Sequence, residues 1–189
     1  MIDAEIFTAI RAYLVPIMGA DPLPFGNPVV IVQKQQPQAQ GIPNGFTVFM
    51  EKITDKRYGF PRMADVWNAD LEILQHIHKQ NIETTIQLSA IAPRITNGIT
   101  GTTSSNLTAT SSDVLQYVAD ALQNTNAVEY FQTLGAGVLR VTDVRNGYFI
   151  SDEDRNTANV SFDLTVLHER VTITQQAEVA TFDFDIKRV

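Results

Sequence analysis

The stretch NIETTIQLSAIA, residues 81–92, sets Ile82, Thr84, Ile86 and Leu88 against Glu83, Thr85 and Gln87 in strict alternation. A period of two puts the first set on one face of an extended chain and the second on the other, so the segment reads as a strand. The preceding LEILQHIHKQ fits helix and strand alike, and we read residues 71–92 as one long strand. Further strand patterns are PVVIVQ at 28–33, FTVFMEKI at 46–53, GVLRVTDVRN at 137–146, VSFDLTVLHERVTI at 160–173 and the closing ATFDFDIKRV. The β-branched run of PVVIVQ predicts burial on both faces, and NGYFISDEDRNTAN at 146–159 reads as a break between strands.

Helical spacing is confined to two places. Residues 3–18 carry Ile6, Ala9, Ile10, Tyr13, Leu14 and Ile17 on one stripe, with Asp3 as N-cap, Glu5 in the first turn, and Pro16 and Gly19 marking the end. Val114, Leu115, Val118, Ala119 and Leu122 form a second stripe, capped by Ser111 or Ser112 and closing near Asn124, before a short helix AVEYFQTLG that ends at Gly135. Strands that lack alternating helices cannot build a parallel sheet. The order therefore predicts an α+β fold, with a mixed, mainly antiparallel sheet and an N-terminal helix and central helix pair packed on it.

At 189 residues the chain suits one domain, residues 1–189. Polar QKQQPQAQGIPNG at 33–45 predicts an exposed connector, and the uncharged, Thr/Ser-rich 95–112 predicts a loop. Charged residues make up 19%, below the usual share, as in chains that hide surface in a partner. A net charge of -7 argues against a surface built to neutralise nucleic-acid phosphates, though not against a channel that DNA passes through. No apolar stretch approaches the roughly 20 residues that span a bilayer. Two acids precede the first base at the N-terminus, unlike a secretory signal, so we expect a soluble protein.

The chemistry-bearing motifs are thin. The absence of cysteine removes disulfides, thiolate metal sites and cysteine nucleophiles. His76 and His78 would share a face of a strand, but a metal needs a further ligand and only His168 remains among histidines. Solvent-facing histidines are the simpler reading. No G-x-S-x-G elbow and no phosphate-cradling glycine loop is present, so no catalytic, cofactor-binding or metal residue is assigned. The acidic Asp152–Arg155 run lacks EF-hand spacing and reads as a solvated loop. Asp183 and Asp185 share a face by the pleat, opposite Phe182, Phe184 and Ile186.

The opening helix MIDAEIFTAIRAYL, PVVIVQKQQPQ followed by GIPNGFTVFMEKI and KRYGFPR, and LGAGVLRVTDVRNGYFISDEDRNTANVSFDLTVLHERV together resemble the neck and tail-terminator proteins of tailed bacteriophages. The resemblance runs over most of the chain and names no catalytic residue. It implies a virion subunit, assembled in the host cytoplasm, that forms a homo-oligomeric ring of six copies on the last ring of the tail tube. Such a ring stops tube growth and meets the neck or head-tail connector proteins, with sheath or collar nearby. DNA passes through without specific binding, and no membrane is involved. An adjacent collar or head-tail adaptor, or a non-catalytic tail-assembly factor, is the alternative.

Within that expectation, Arg57, Tyr58 and Phe60 of the KRYGFPR arm are candidate interface residues, because exposed Tyr and Arg favour interface anchoring. The competing reading packs both rings on the subunit's own sheet. Asp183 and Asp185 are candidates for an acidic channel wall, against a strand that merely faces solvent.

Overall fold

The computed structural model describes residues 2–19, 29–33, 46–71, 73–91, 110–150 and 156–176. The Thr/Ser-rich stretch to residue 109 expected as a loop, most of the expected 33–45 connector, the Asp152–Arg155 run and the closing ATFDFDIKRV with Asp183 and Asp185 lie outside these residues. The elements are α1 (Asp3–Met18), β1 (Val30–Gln33), β2 (Thr47–Asn68), β3 (Ile73–Ile91), α2 (Ser111–Gln123), α3 (Thr125–Thr133), β4 (Ala136–Val141), β5 (Arg145–Ile150) and β6 (Asn156–Gln176). Six strands form one sheet in the order β1-β2-β3-β6-β4, with β5 also on β6. Among the described residues, only the β1–β2 pairing is parallel. The fold is the α+β arrangement read from the segment order, a mixed, mostly antiparallel sheet with an N-terminal helix.

Each helix forms for local reasons and is recruited by one apolar face. In α1, the Ile2 N–H donates to Glu5 Oε2 at 2.8 Å, and Ile6, Phe7, Ala9, Ile10, Leu14 and Met18 are buried. Asp3 is therefore the first helical residue and Ile2 the cap, one position from the expectation. In α2 the cap is Thr110, not Ser111 or Ser112: its hydroxyl accepts from the Asp113 N–H while Asp113 accepts from the Thr110 N–H at 2.8 Å. This reciprocal pair satisfies two donors that the helix start leaves over. Gly135, at φ 70, supplies the left-handed turn from α3 into β4.

The period-two reading holds along the sheet centre. Ile82, Thr84, Ile86, Leu88 and Ala90 of β3 are buried beside Val160, Phe162, Leu164, Val166 and His168 of β6, and this face meets the helices. The opposite face carries Glu83, Thr85, Gln87 and Ser89, half-buried.

Three strands outrun this core. β2, β3 and β6 have 22, 19 and 21 residues, against a usual five or six. Pairing continues beyond the described helices, from Lys56↔Glu83 to Asn68↔Ile73 and from Asn81↔Glu169 to Leu74↔Gln176. The outcome is a three-stranded arm projecting from the body. On it, the same even positions of β3 that are buried in the core become half-buried His76, His78 and Gln80.

Three expectations are corrected. KRYGFPR at 56–62, whose residues read as a turn or an arm presenting Tyr58 and Phe60, is no turn between strands but part of β2, whose register shifts between Tyr58 and Arg62 and then resumes. GYFI, read within a break, belongs to β5, paired with the start of β6. β1 is buried on one face only: Ile31 is buried and Val30 is 51% exposed, because successive residues of a strand point to opposite faces and, among the described residues, α1 packs on one of them.

Phe162→Ala is expected to lower unfolding stability by about 3–5 kcal/mol, since the ring is buried at the sheet centre. Trp67→Ala, on the arm and 53% exposed, should cost less than about 1 kcal/mol. Urea unfolding of both variants measures the contrast between body and arm.

Candidate functional site

The base of the arm holds the most connected polar cluster among the described residues. Lys52 and Asp55 of β2, Thr84 of β3 and His168 of β6 meet the start of α1 at Asp3. Lys52 Nζ donates to Asp3 at 2.6 Å and to Asp55 at 2.5 Å. The Thr84 hydroxyl donates to Asp55 Oδ1 at 2.8 Å, leaving its oxygen to accept from His168 Nε2 at 3.0 Å. The neutral ring thus carries its proton on Nε2, and its buried Nδ1 has no hydrogen-bond partner.

Electrostatics follow from this wiring. Burial alone would raise Asp55, but the hydrogen bonds from Lys52 and Thr84 outweigh it and hold the carboxyl below its usual range. Burial works against the Lys52 charge as well, and the two aspartates more than offset it, so its pKa is raised. Burial pushes His168 below its ordinary value, with Asp55 and Asp3 opposing more weakly.

An Asp–Thr–His contact invites comparison with nucleophilic catalysis, and the geometry argues otherwise. The Thr84 proton points at a carboxylate rather than at the imidazole, and the residue is 1% exposed, beyond reach of a substrate. The cluster is a fastener: it ties three strands and the first turn of α1 at the point where the helix layer stops.

The H-x-H pair does share a face, as its spacing predicts, but His76 is engaged by Asp65 at 2.6 Å from the neighbouring strand. Among the described residues no group of three His, Asp or Glu side chains could hold a metal.

Beyond the fastener the arm presents the candidate interface residues. Between Tyr58↔Asn81 and Arg62↔Lys79, the residues Gly59, Phe60 and Pro61 loop out of the ladder. Gly59 takes φ 63, a left-handed conformation that costs glycine little. The Gln80 side-chain amide donates to the carbonyls of Tyr58 at 2.6 Å and Gly59 at 3.2 Å, pinning the bulge from the central strand. Phe60 is 98% exposed, so its ring does not pack on the subunit's own sheet. Tyr58 is 47% exposed, with Lys56 Nζ at 5.1 Å over its ring. Arg57 lies across the sheet from Arg170, and both line a groove with His78 and Gln80. Farther out, Met63, Val66, Trp67, Val171 and Ile173 are all exposed large apolar side chains.

The register sorts these onto both surfaces of the arm. Ala64, Ile77 and Ile173 form one cross-strand row, with Val66 and Val171 on the same side; Trp67 pairs with Leu74, and Met63 with His78, on the other. Among the described residues, exposed apolar side chains thus stand on both faces of the arm, a surface prepared for contact.

Residues 5–179 match the family model described as E217 gateway protein gp29. The chain belongs to this family. The gateway family is a bacteriophage head-to-tail family of virion structural proteins, which carries the neck part of the resemblance drawn from the segment order. The match takes in every described element from Glu5 onward, arm included. No curated protein matches the chain. No helix among the described residues is long and apolar enough to cross a membrane.

The sequence reading passed over Lys52 and Asp55, and weighed His168 only as a further histidine for a metal. One signal was present: His168 continues the even-numbered series Val160, Phe162, Leu164, Val166 and therefore had to face the core.

Because the folded His168 is held below the usual 6.5, the unfolded chain takes up its proton first as pH falls. Stability is therefore expected to decline from about pH 6.5 downward. Asp55 acts in the same direction, but only below its own ordinary value of 3.8, so the two windows are separate. Urea midpoints compared between about pH 7.5 and about pH 5 should show a slope in the native chain that His168→Gln reduces.

Proposed function

We propose that this chain is a ring-forming structural subunit of the phage neck, standing at the head-proximal end of the tail tube. There it stops tube growth and joins the tail to the head connector around the DNA channel, with no chemistry of its own. The gateway-family match over residues 5–179 carries the reading. The arm supports it, since a subunit that works by assembly needs surface beyond what its own core covers. Residues 1–189 act as one domain in this reading, assembled in the host cytoplasm and retained in the virion.

Charge is consistent with a conduit. Six copies at -7 each bring -42 to a ring, a field that repels passing phosphates instead of holding them. A cyclic array of identical subunits also needs two different patches on each, one meeting the other on the next copy.

A phage carrying an early stop codon in this reading frame tests the role by electron microscopy of the lysate. Filled heads and unjoined, overlong tails are expected, with joining restored when purified protein is added. Tubes of normal length would remove the terminating part of the role, and normally joined particles would remove the role altogether.

A further inference from the structure

Two surface features of the subunit lack a counterpart within it, and their shapes and charges are complementary. The first is the knob on the arm, where Gly59, Phe60 and Pro61 loop out of β2. It is not a loose loop: Gln80 holds both carbonyls that precede Phe60, and the ladder resumes at Arg62↔Lys79. A phenyl ring left 98% exposed on a pinned bulge is a preformed projection. Lys56, Arg57 and Arg62 flank it, and Arg57 makes no ion pair among the described residues.

The second feature is a groove of about 580 Å³ on the helical layer, between α1 and the end of α3. Ala4, Thr8, Ala9 and Ala12 form its floor on α1, and Tyr130 and Leu134 its far wall. The wall is firm, because Tyr130 lies edge-on against Phe131 at 5.5 Å and beside Tyr13 at 5.3 Å. Leu134 is 42% exposed over the opening. Glu5 stands at the rim, and the three helices together carry five acids, Asp3, Glu5, Asp113, Asp120 and Glu129, against the single base Arg11.

We propose that the Phe60 knob of one subunit seats in the α1–α3 groove of a second copy of this chain, with the basic flanks of the knob against the acidic helical layer. The ring fills a groove floored by small side chains, and opposite charges orient the approach. Knob and groove are different patches, so one contact leaves each pair with a free knob and a free groove. Head-to-tail addition continues until the array closes. This contact rests on the proposed neck role and gives it a specific interface.

Complementary variants test it by sedimentation velocity at micromolar concentration. Phe60→Asp disables the knob, and Ala12→Trp fills the groove; Thr8→Trp is a second filling variant. All three positions are on the surface, and unchanged far-UV circular dichroism checks that each variant folds. The native chain is expected to sediment as a closed oligomer. Each variant alone should be monomeric, its association weakened by at least about tenfold. An equimolar mixture of Phe60→Asp and Ala12→Trp should form a heterodimer and stop there, because one intact knob and one intact groove remain between them. If either variant alone assembles as the native chain does, or if the mixture stays monomeric, the contact is overturned while a native ring leaves the neck role standing. Binding of the native chain to duplex DNA that Phe60→Asp abolishes, with oligomers intact, would reassign the knob to nucleic acid and also overturn it. A native chain that stays monomeric and does not assemble on tail tubes would remove the neck role and the contact together.

Discussion

The backbone ladder shared by β2, β3 and β6 extends well past the helices that bury its inner half, and most of the molecule's behaviour follows from that mismatch. Inside the body, burial of alternate side chains drives the sheet, as Ile86, Leu88, Phe162 and Leu164 show. Outside it, the strands are held by main-chain pairing and cross-strand contacts, including Arg62 and Lys79 with Glu169 at 3.2 and 3.7 Å. Exposed ion pairs of this kind contribute little on their own. Rigidity of the arm therefore depends on how firmly its base is fixed to the body.

The Asp3–Lys52–Asp55–Thr84–His168 cluster supplies that fixing. It stands where the register of β2 shifts, between Lys52 and Thr54, so a local irregularity of the ladder coincides with its strongest polar cross-bracing. A bulge bends and twists a strand; bracing on both sides of it fixes the direction in which the arm leaves. Within the cluster, the buried His168 Nδ1 is left unsatisfied, the cost of bringing an imidazole into this junction.

Much of the fold was legible because it is repeated locally. The alternation from Ile82 to Leu88 and the helical stripes of Ile6, Ile10, Leu14 and of Val114, Leu115, Val118 each state their own burial. What was not legible depends on neighbours distant in sequence. Gly59 and Pro61 read as strand breakers, yet a three-residue excursion absorbs both while the pairing closes again beyond them. Val30 carries the same β-branched signal as Ile31, and only the face on which α1 packs decides that one is exposed and the other buried. The fastener draws on four elements, so no window of sequence contains it. The knob lay between: KRYGFPR drew notice for its residue types, but the outward direction of Phe60 is a property of the bulge.

The two long edges of the arm are unequal. Past Met50, β2 has no outer neighbour among the described residues, but its edge is interrupted by two register shifts and by Pro61. The edge of β6 from Val171 to Gln175 has regular pairing on its inner side, no charge, no proline and no outer neighbour among the described residues. Natural sheets usually blunt such edges. Among the described residues the subunit thus carries a template for strand addition on one side only, and a strand laid along it would give those main-chain groups the partners they lack.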